Sequence, residues 1–446
     1  MKQLYTLIFV FAGFTAVAQQ DTSQIHNFNL QQCIDYAYEH QVSVKNAQLD
    51  IKKAEYKVKE TIGIGLPQID GTANFQDYLK LPTTLLPGEF VGQPGTFIPV
   101  KFGVKYQSTV AFQATQLLFN GTYLVGLKAS KTYKELSQRS FTRTQIETNA
   151  SVTKAYYQVL VNDEQLRLVD ANIKEIAQQR NEVTQLNKQG FSEKIDVDRI
   201  NVQYNNLVTA RENTVRSLAL AVQLLKFQMG MPVSENLIIK EKIANLNISE
   251  AANSNTAMDS TAYHNRIEYG LLETQKKLNE LDLKRYKSQY LPTLSAFSNG
   301  SYSFQNNFFN NLYGNSFPSL IVGLQLNVPI FSGLQRLNQV RQANVEVLKS
   351  INTLNDTKNS INLQVQQART NFSNSLASYN NQKQNMDLAN EVLRVSKIKY
   401  QQGVGSSIEV TQAQTQLETA ELNYIEALYN ALVSRVDLNQ ALGNIK

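Results

Sequence analysis

The side chains that could carry out chemistry are few in this sequence and lie far apart. The three histidines are His26, His40 and His264, and no cysteine or acid accompanies them at the spacing of metal ligands. The single cysteine, Cys33, has no second cysteine with which to form an intramolecular disulfide. The sequence therefore predicts neither a metal site nor a bound cofactor.

Motifs of catalysis are missing as well. Gly63-Ile64-Gly65 precedes a predicted strand and does not open a helix, so it is not a phosphate-binding loop. No serine stands in a nucleophile elbow. The paired carboxylates Asp163 and Glu164, like Asp196 and Asp198, fall on predicted long helices, where a solvated face explains them. We therefore predict that the protein is not an enzyme.

The charge of the chain argues against nucleic acid as a partner. The formal net charge of the 446 residues is +6, and the basic residues are spread along the chain without a dense Lys/Arg tract. Binding to a phosphate backbone needs such a concentrated basic surface.

The amino terminus is typical of a secretory signal peptide. Lys2 precedes an apolar run from Leu4 to Val17, and Ala16-Val17-Ala18 provides a small-x-small cleavage site. We assign residues 1–18 to this signal, so the protein is expected to be exported. The run is shorter than the ~20 apolar residues of a membrane-spanning helix, and no other stretch comes close. Any membrane insertion would then have to use β-strands.

The chain repeats itself in order. The matching elements are Leu66-Pro67-Gln68-Ile69 with Leu291-Pro292-Thr293-Leu294, Phe119-Asn120-Gly121 with Phe331-Ser332-Gly333, and Ile195-Asp196-Val197 with Ile408-Glu409-Val410. Such self-similarity predicts two copies of one structural unit. We assign repeat 1 to residues 29–231, a linker to 232–258 and repeat 2 to 259–446.

Four segments alternate between apolar and polar residues as strands do. They lie near residues 68–78, 104–115, 293–304 and 320–328. Each has the length of a tilted membrane strand, about 10 residues. Alternation alone would also fit a soluble sandwich, but the signal peptide and the long helices favour the membrane. The intervening segments 81–102 and 305–317 are expected to be loops on the outside.

The strongest pattern is that of very long helices. Residues 121–187 and 334–402 contain almost no helix breakers, and at 1.5 Å per residue each would reach roughly 100 Å. The apolar residues of the second segment keep a 3–4 spacing, which is typical of a coiled coil. Gly190 and Gly403 end these helices, and antiparallel partners return over 195–228 and 408–442. Each repeat is thus predicted to be a strand hairpin joined to a long helical hairpin.

These motifs together resemble the TolC family of outer membrane efflux proteins. The likeness rests on the Leu-Pro openings, the Phe-x-Gly junctions, the glycine tips and the terminal Leu438-Asn439-Gln440-Ala441-Leu442-Gly443, and it covers nearly the whole mature chain. It implies an α+β membrane protein, in which a long coiled-coil helical barrel joins a transmembrane β-barrel with four strands per chain and twelve in a homotrimer. The number of strands is consistent with a trimer. Four strands cannot close a barrel, and the interior of an eight-stranded barrel is filled by side chains.

The resemblance also implies partners and an activity. The chain would be the outer-membrane exit channel of a tripartite efflux system, held among outer-membrane lipids, with a periplasmic adaptor protein at its helical tips and an inner-membrane pump beyond. The outer-membrane duct of a type I protein secretion system is an alternative. A periplasmic coiled-coil adaptor or scaffold is another, although adaptors have one helical hairpin per chain and this sequence has two.

The family pattern further implies which residues close the channel. The periplasmic gate residues would be Asp196, Tyr400, Glu409 and Gln412. We further expect the Tyr400 hydroxyl to donate a hydrogen bond to Asp196. The adaptor-contacting tips would be Gly190, Phe191 and Ser192 in repeat 1 and Gly403, Val404, Gly405 and Ser406 in repeat 2. Two positions depart from the pattern, because Gln412 replaces a frequent acid and Gly405 replaces an arginine of some members.

Overall fold

The computed structural model describes residues 25–92, 94–243 and 262–445. The predicted signal peptide, residues 1–18, and residues 244–258 of the predicted linker lie outside these described residues. The helices are α1 (Leu30–His40), α2 (Val42–Ile64), α3 (Gly121–Lys188), α4 (Lys194–Met229), α5 (Ile267–Ser288), α6 (Gln335–Gln401) and α7 (Ser407–Ala441). The strands are β1 (Ile25–Phe28), β2 (Gln68–Asp77), β3 (Thr83–Pro87), β4 (Phe97–Lys101), β5 (Tyr106–Phe119), β6 (Asn236–Ile239), β7 (Thr293–Asn306) and β8 (Ser316–Asn327).

Matching helices have almost the same length. The helix α3 has 68 residues and α6 has 67, while α4 has 36 and α7 has 35. The predicted long helices and the helices that return from them are thereby confirmed. Within the part of the chain that the structure describes, none of the helices is both long enough and apolar enough to cross a membrane.

Side-chain caps set where two of the helices begin. Asn29 and Gln32 form a capping box at α1, in which the Asn29 Oδ1 accepts from the Gln32 amide at 2.9 Å and the Gln32 Oε1 accepts from the Asn29 amide at 3.0 Å. At α3 the Asn120 Oδ1 accepts from the Tyr123 amide at 3.0 Å. The Asn120 side chain therefore caps the start of α3.

The start of α6 lies one residue after the predicted boundary at residue 334. Gly333 and Leu334 have φ values of 58° and 64°, so the chain makes a left-handed turn before the helix begins at Gln335. The backbone carbonyl of Ser332 accepts from the Gln335 amide at 3.1 Å. A left-handed leucine costs about 1–2 kcal/mol, which explains why sequence periodicity alone favoured an earlier start.

The described residues divide into two compact units. Unit 1 contains residues 25–41, 151–243 and 377–433, and unit 2 contains residues 42–92, 94–150, 262–376 and 434–445.

Unit 2 contains a four-stranded antiparallel sheet in the order β2-β5-β7-β8. Opposite residues in an antiparallel pair point to the same face. The register therefore collects one apolar face, which includes Ile69, Phe75, Val110, Phe112, Leu294, Tyr302, Leu320, Val322, Leu324 and Leu326. The opposite, polar face includes Asp70, Asn74, Gln107, Thr109, Gln113, Asn299, Ser301, Ser303 and Gln325. Strand positions are close to those predicted.

The apolar face of this sheet is not covered by the chain itself. Leu320 is 75% exposed, Val322 is 74% exposed and Leu324 is 69% exposed. An apolar surface of this kind marks a site of contact with a partner or a lipid phase.

The predicted loop 81–102 contains structure that the sequence analysis missed. The short strands β3 and β4 pair antiparallel, from Thr83 opposite Lys101 to Pro87 opposite Phe97. A 3-10 turn over Gly88–Val91 and the left-handed Gly92 (φ 77°) follow β3. Both strands have only five residues and contain a proline. The alternation of apolar and polar residues is therefore too short to predict a strand from the sequence.

The helices of unit 2 pack along the predicted apolar seam. Ile361, Val365, Ala368 and Phe372 of α6, spaced by four, three and four residues, are buried. They pack with Leu438 and Ala441 of α7 and with partly buried Tyr263 and Tyr269. The predicted 3–4 spacing therefore corresponds to a real interface.

In unit 1 the first strand is tied to the segment that follows α4. The strand β1 pairs in parallel with β6, and α1 packs against α4. At Gly230, with φ 71°, an added Cβ would lie 2.7 Å from the Cα of Gln41, so this close approach requires glycine. Cys33 is fully buried nearby, and burial together with the charge of Glu241 raises the pKa of its thiol to about 12. The thiol is thus inert at neutral pH.

Candidate functional site

The first helical tip, in unit 1, is built by a left-handed glycine. Gly190 has φ 82° and follows the end of α3. The Phe191 amide donates to the Leu186 carbonyl at 2.9 Å, and the Asn187 Nδ2 donates to the Ser192 carbonyl at 2.7 Å. The first bond satisfies a carbonyl that the helix end leaves free, and the second ties the turn back to the helix. Phe191 is 80% exposed at this turn.

The second tip is tighter. Gly403 has φ 75°, and the amides of Val404 and Gly405 both donate to the Lys399 carbonyl, at 3.0 and 3.1 Å. A Cβ on Gly405 would lie 3.0 Å from the Lys399 Cβ and 3.1 Å from the Tyr400 amide nitrogen. This crowding leaves little room for a side chain at position 405 in the observed turn.

The predicted tip residue Ser406 serves as a helix cap. Its Oγ accepts from the Glu409 amide at 3.3 Å at the start of α7. Glu409 thereby occupies the first turn of the helix, where the macrodipole favours a carboxylate. Glu409 and Gln412 are both exposed and lie three residues apart on one helix face.

The Asp196 carboxylate links the two tips. We call this carboxylate, with its donors Ser192, Arg199 and Ser407, the Asp196 hub. One carboxylate oxygen accepts from the Ser407 hydroxyl and from the Arg199 Nη1, the latter at 3.3 Å. The other oxygen accepts from the Ser192 hydroxyl at 3.2 Å. The Arg199 Nη1 also lies 3.4 Å from the Ser407 hydroxyl, to which it donates. Asp196 is only 17% exposed, so these charge-assisted bonds are shielded from water.

The predicted hydrogen bond from Tyr400 to Asp196 is absent among the described contacts. Ser192, Arg199 and Ser407 occupy the carboxylate instead. Tyr400 packs against a buried cluster formed by Leu393, Val410, Ala413 and Leu417. Sequence reasoning missed Arg199 and Ser407, although Arg199 follows Asp196 by three residues, which is the spacing of a helical ion pair.

A cleft of about 530 Å³ lies beside the tips. Its walls come from α3 and α6, and the Lys397 ammonium and Glu175 carboxylate pair within it. The lining also includes Gln179, Glu182, Phe191 and Tyr400. The Oε1 of Gln179 is buried there without a hydrogen-bond partner.

Farther along α7, a second polar group is buried between α3 and α7. The Asn172 Nδ2 donates to the Glu421 Oε2 at 2.5 Å, and the Gln414 Nε2 donates to the Glu418 Oε1 at 3.2 Å. Burial raises the pKa of the Glu418 carboxyl, and burial together with the Glu418 charge raises the pKa of Glu421 to about 7. The sequence predicted none of these contacts.

Groups of three or more His, Cys, Asp or Glu placed to hold a metal do not occur within residues 25–92, 94–243 and 262–445. The polar groups at the tips are hydrogen-bonded donors and acceptors at the ends of rigid helices. Such an arrangement can hold a contact closed and release it, and it can present charge to a solute.

Comparison with known proteins gives one consistent likeness. The profile of the outer membrane efflux protein family matches residues 33–224 and 282–444. The outer membrane protein TolC of Vibrio cholerae is 21% identical over 334 residues, which is 74% of this chain and 75% of TolC. The alkaline protease secretion protein AprF of Pseudomonas aeruginosa is 24% identical over 335 residues, which is 74% of this chain and 68% of AprF.

The fold is similar to that of a solved channel. The crystal structure of the Campylobacter jejuni CmeC outer membrane channel aligns with a TM-score of 0.73 at 14% identity, covering 98% of this chain and 94% of CmeC. At this identity the likeness concerns the fold.

The Asp196 hub predicts that the tips loosen when its bonds are removed. We expect Ser407→Ala and Asp196→Asn each to remove roughly 1.5–3 kcal/mol of local stability, because bonds to a shielded charge are lost. Hydrogen–deuterium exchange should then be faster in residues 187–199 and 403–412. The control is Asp198→Asn, since Asp198 is an exposed carboxylate two residues away. Exchange that is equal in all three variants would show that the hub does not hold the tips.

Proposed function

The chain belongs to the outer membrane efflux protein family and is an exit channel of the outer membrane, and we propose that it serves a tripartite efflux system. In that system it passively conducts substrates delivered by an inner-membrane pump and a periplasmic adaptor. The observation that carries the proposal is the family match over both halves of the chain, at residues 33–224 and 282–444.

The membrane part of the channel is a β-barrel shared between chains. The strands β2 and β8 are the two edges of the four-stranded sheet. An unpaired edge is not tolerated in hydrocarbon, because no water is present to satisfy its backbone groups. Three copies joined edge to edge give twelve strands, which is wide enough for a water-filled interior. The apolar face then contacts lipid, and the polar face lines the interior.

The helical hairpins form the periplasmic part, and their tips form the gate. The two repeats, residues 29–231 and 259–446, each supply one hairpin. In a trimer, three copies of Glu409 form a ring of like charge around the axis, with the exposed Gln412 one turn behind it. The Asp196 hub holds the two hairpins of a chain together in the closed state, and Tyr400 supports it by packing.

The adaptor contacts the same tips from the periplasmic side. Phe191 is 80% exposed and Val404 is 75% exposed, which is unusual for apolar side chains without a partner. The neighbouring cleft offers a Lys397–Glu175 pair at its wall. Apolar anchors beside a charged pair are typical of a protein interface. The contact surface also includes Gly190, Ser192, Gly403, Gly405 and Ser406.

A second candidate within the channel class is the duct of a type I protein secretion system. It is favoured by the similarity to AprF, which is named for the secretion of alkaline protease. A periplasmic adaptor or scaffold is disfavoured, because the family match includes both hairpins and the strands between them.

The sheet faces can be tested by placing a charge on each. We expect Val110→Arg and Leu324→Arg to reduce trimer yield in detergent, since a cation on the lipid face costs on the order of 2–4 kcal/mol near the midplane. The matched controls Thr109→Arg and Gln325→Arg alter the polar face and should give nearly normal trimers. Equal losses from both faces would contradict the membrane assignment of the strands.

The charge ring can be tested by single-channel recording in planar bilayers. We expect Glu409→Gln to weaken cation selectivity and block by multivalent cations, because a ring of carboxylates attracts cations. Gln412→Glu should have the opposite effect, since it adds a second ring. Unchanged reversal potentials in Glu409→Gln would remove the gate assignment and leave the channel assignment in place.

Efflux and secretion can be separated in a host that lacks its own exit channel. Expression of this chain with its adaptor and pump should restore dye efflux and resistance to toxic small molecules. Protein export into the medium is measured in the same cells. Restored protein export without dye efflux would favour the secretion duct over the proposed efflux channel.

A further inference from the structure

Three polar residues of α7 form a patch that lies away from the gate. Gln414, Glu418 and Glu421 follow one another at steps of four and three, so they share one face of the helix. Glu418 lies nine residues beyond Glu409, which is about two and a half helical turns. The patch therefore faces the side of α7 opposite to Glu409, and the tip ring does not account for it.

A residue of α3, Asn172, contacts the patch. Asn172 is 5% exposed, and its Nδ2 donates to the Glu421 Oε2 at 2.5 Å. Glu418 and Glu421 are themselves half-buried. Carboxylates in such a position are oriented by neighbours and shielded from bulk water.

One oxygen in this patch has no partner. Gln414 is 1% exposed, and its Oε1 is buried without a hydrogen bond. Its Nε2 donates to the Glu418 Oε1 at 3.2 Å. When Glu418 is ionised, turning the amide around would place the Gln414 oxygen against its carboxylate, so the ionised form favours the observed orientation. A buried oxygen without a donor needs an explanation in a native structure.

The negative charge of the patch is only partly compensated, because the Arg167 charge reaches Glu421 without forming an ion pair with it. Arg167 pairs with Glu164 through two contacts of 2.6 and 2.9 Å, and Lys397 pairs with Glu175. Within the described ranges 25–92, 94–243 and 262–445, neither Glu418 nor Glu421 forms an ion pair with a lysine or arginine. Two neighbouring carboxylates without a directly paired counter-charge repel each other unless a further positive species joins them.

We propose that Gln414 Oε1, Glu418 and Glu421 form a binding site for a hard divalent cation, such as Ca²⁺, between α3 and α7. Hard cations take carboxylate and amide oxygens as ligands, and Ca²⁺ accepts irregular geometry. Two carboxylates match its charge, and the unpartnered amide oxygen supplies a neutral ligand. Asn172 orients Glu421 from the other helix, and water completes the coordination.

The bound cation would join the two hairpins of one chain. The helix α3 belongs to the first hairpin and α7 to the second, so a cation held on α7 against α3 stabilises their contact. This inference uses contacts inside unit 1 alone and does not depend on conduction.

The test is calcium binding by the full mature chain in detergent at pH 7.5, after chelation and dialysis. Isothermal titration calorimetry should show one saturable site per chain, and Ca²⁺ should raise the unfolding temperature. Glu418→Gln and Glu421→Gln should each weaken the affinity by at least about tenfold, because each removes a charged ligand. Gln414→Leu should do the same by removing the neutral ligand. Glu426→Gln is the matched control, since Glu426 is an exposed carboxylate on the same helix.

Two outcomes would overturn the site. One is the absence of saturable Ca²⁺ binding, with these carboxylates taking up only protons near neutral pH. The other is binding that Glu409→Gln abolishes and Glu418→Gln leaves intact, which would assign the cation to the tip ring. Conductance of the same preparations is recorded in parallel. If the chain conducts ions but binds no calcium at this patch, the proposed cation site is refuted and the proposed channel function is not.

Discussion

The antiparallel pairing of β5 with β7 joins two strands that lie far apart in the chain, and the rest of unit 2 depends on it. Thirteen residue pairs connect them, with one irregularity between Leu117 and Phe119. The side chains of a strand alternate with a period of two, so a slip of one residue would move every apolar side chain to the polar face. The observed register keeps Val110 beside Tyr302 and Thr109 beside Ser303. One continuous apolar face and one polar face result, and the proposed membrane insertion requires both.

At the tips of the hairpins the determining constraint is backbone geometry. The left-handed conformations of Gly190 and Gly403 reverse the chain within a few residues. These reversals bring the starts of α4 and α7 together, so that Asp196 of one helix meets Ser407 of the other. A shielded carboxylate with three donors is a strong but reversible contact, because its geometry is lost when either helix rotates. This combination suits the proposed gate, which would be closed at rest and open when a partner binds.

Farther from the tips within unit 1, polar groups are buried where apolar packing would give more stability. Asn172, Gln414 and Glu421 are placed between α3 and α7, next to well-packed apolar clusters. Buried polar groups of this kind define which helix faces meet, since a shifted pairing would leave them without partners. A cation at Glu418 and Glu421 would add a ligand-dependent contribution to the same contact.

The sequence by itself determined the type, order and approximate length of the main elements. Alternation predicted β2, β5, β7 and β8, and the 3–4 spacing of Ile361, Val365 and Phe372 predicted the seam of α6. Local periodicity carries this information because it reflects which residues share a face of one element. The ordered duplicate motifs also led to the right family, although no single motif was specific.

Only the tertiary structure decided which faces meet. The partner of Asp196 is 211 residues away at Ser407, and the partner of Asn172 is 249 residues away at Glu421. The β3–β4 hairpin and the late start of α6 at Gln335 also escaped sequence reasoning, since a short strand and a left-handed leucine leave little trace in periodicity. Periodicity determines the direction of a side chain on its own helix or strand. The atom that this side chain contacts depends on the register and packing of distant segments. A single sequence does not state that register or packing explicitly.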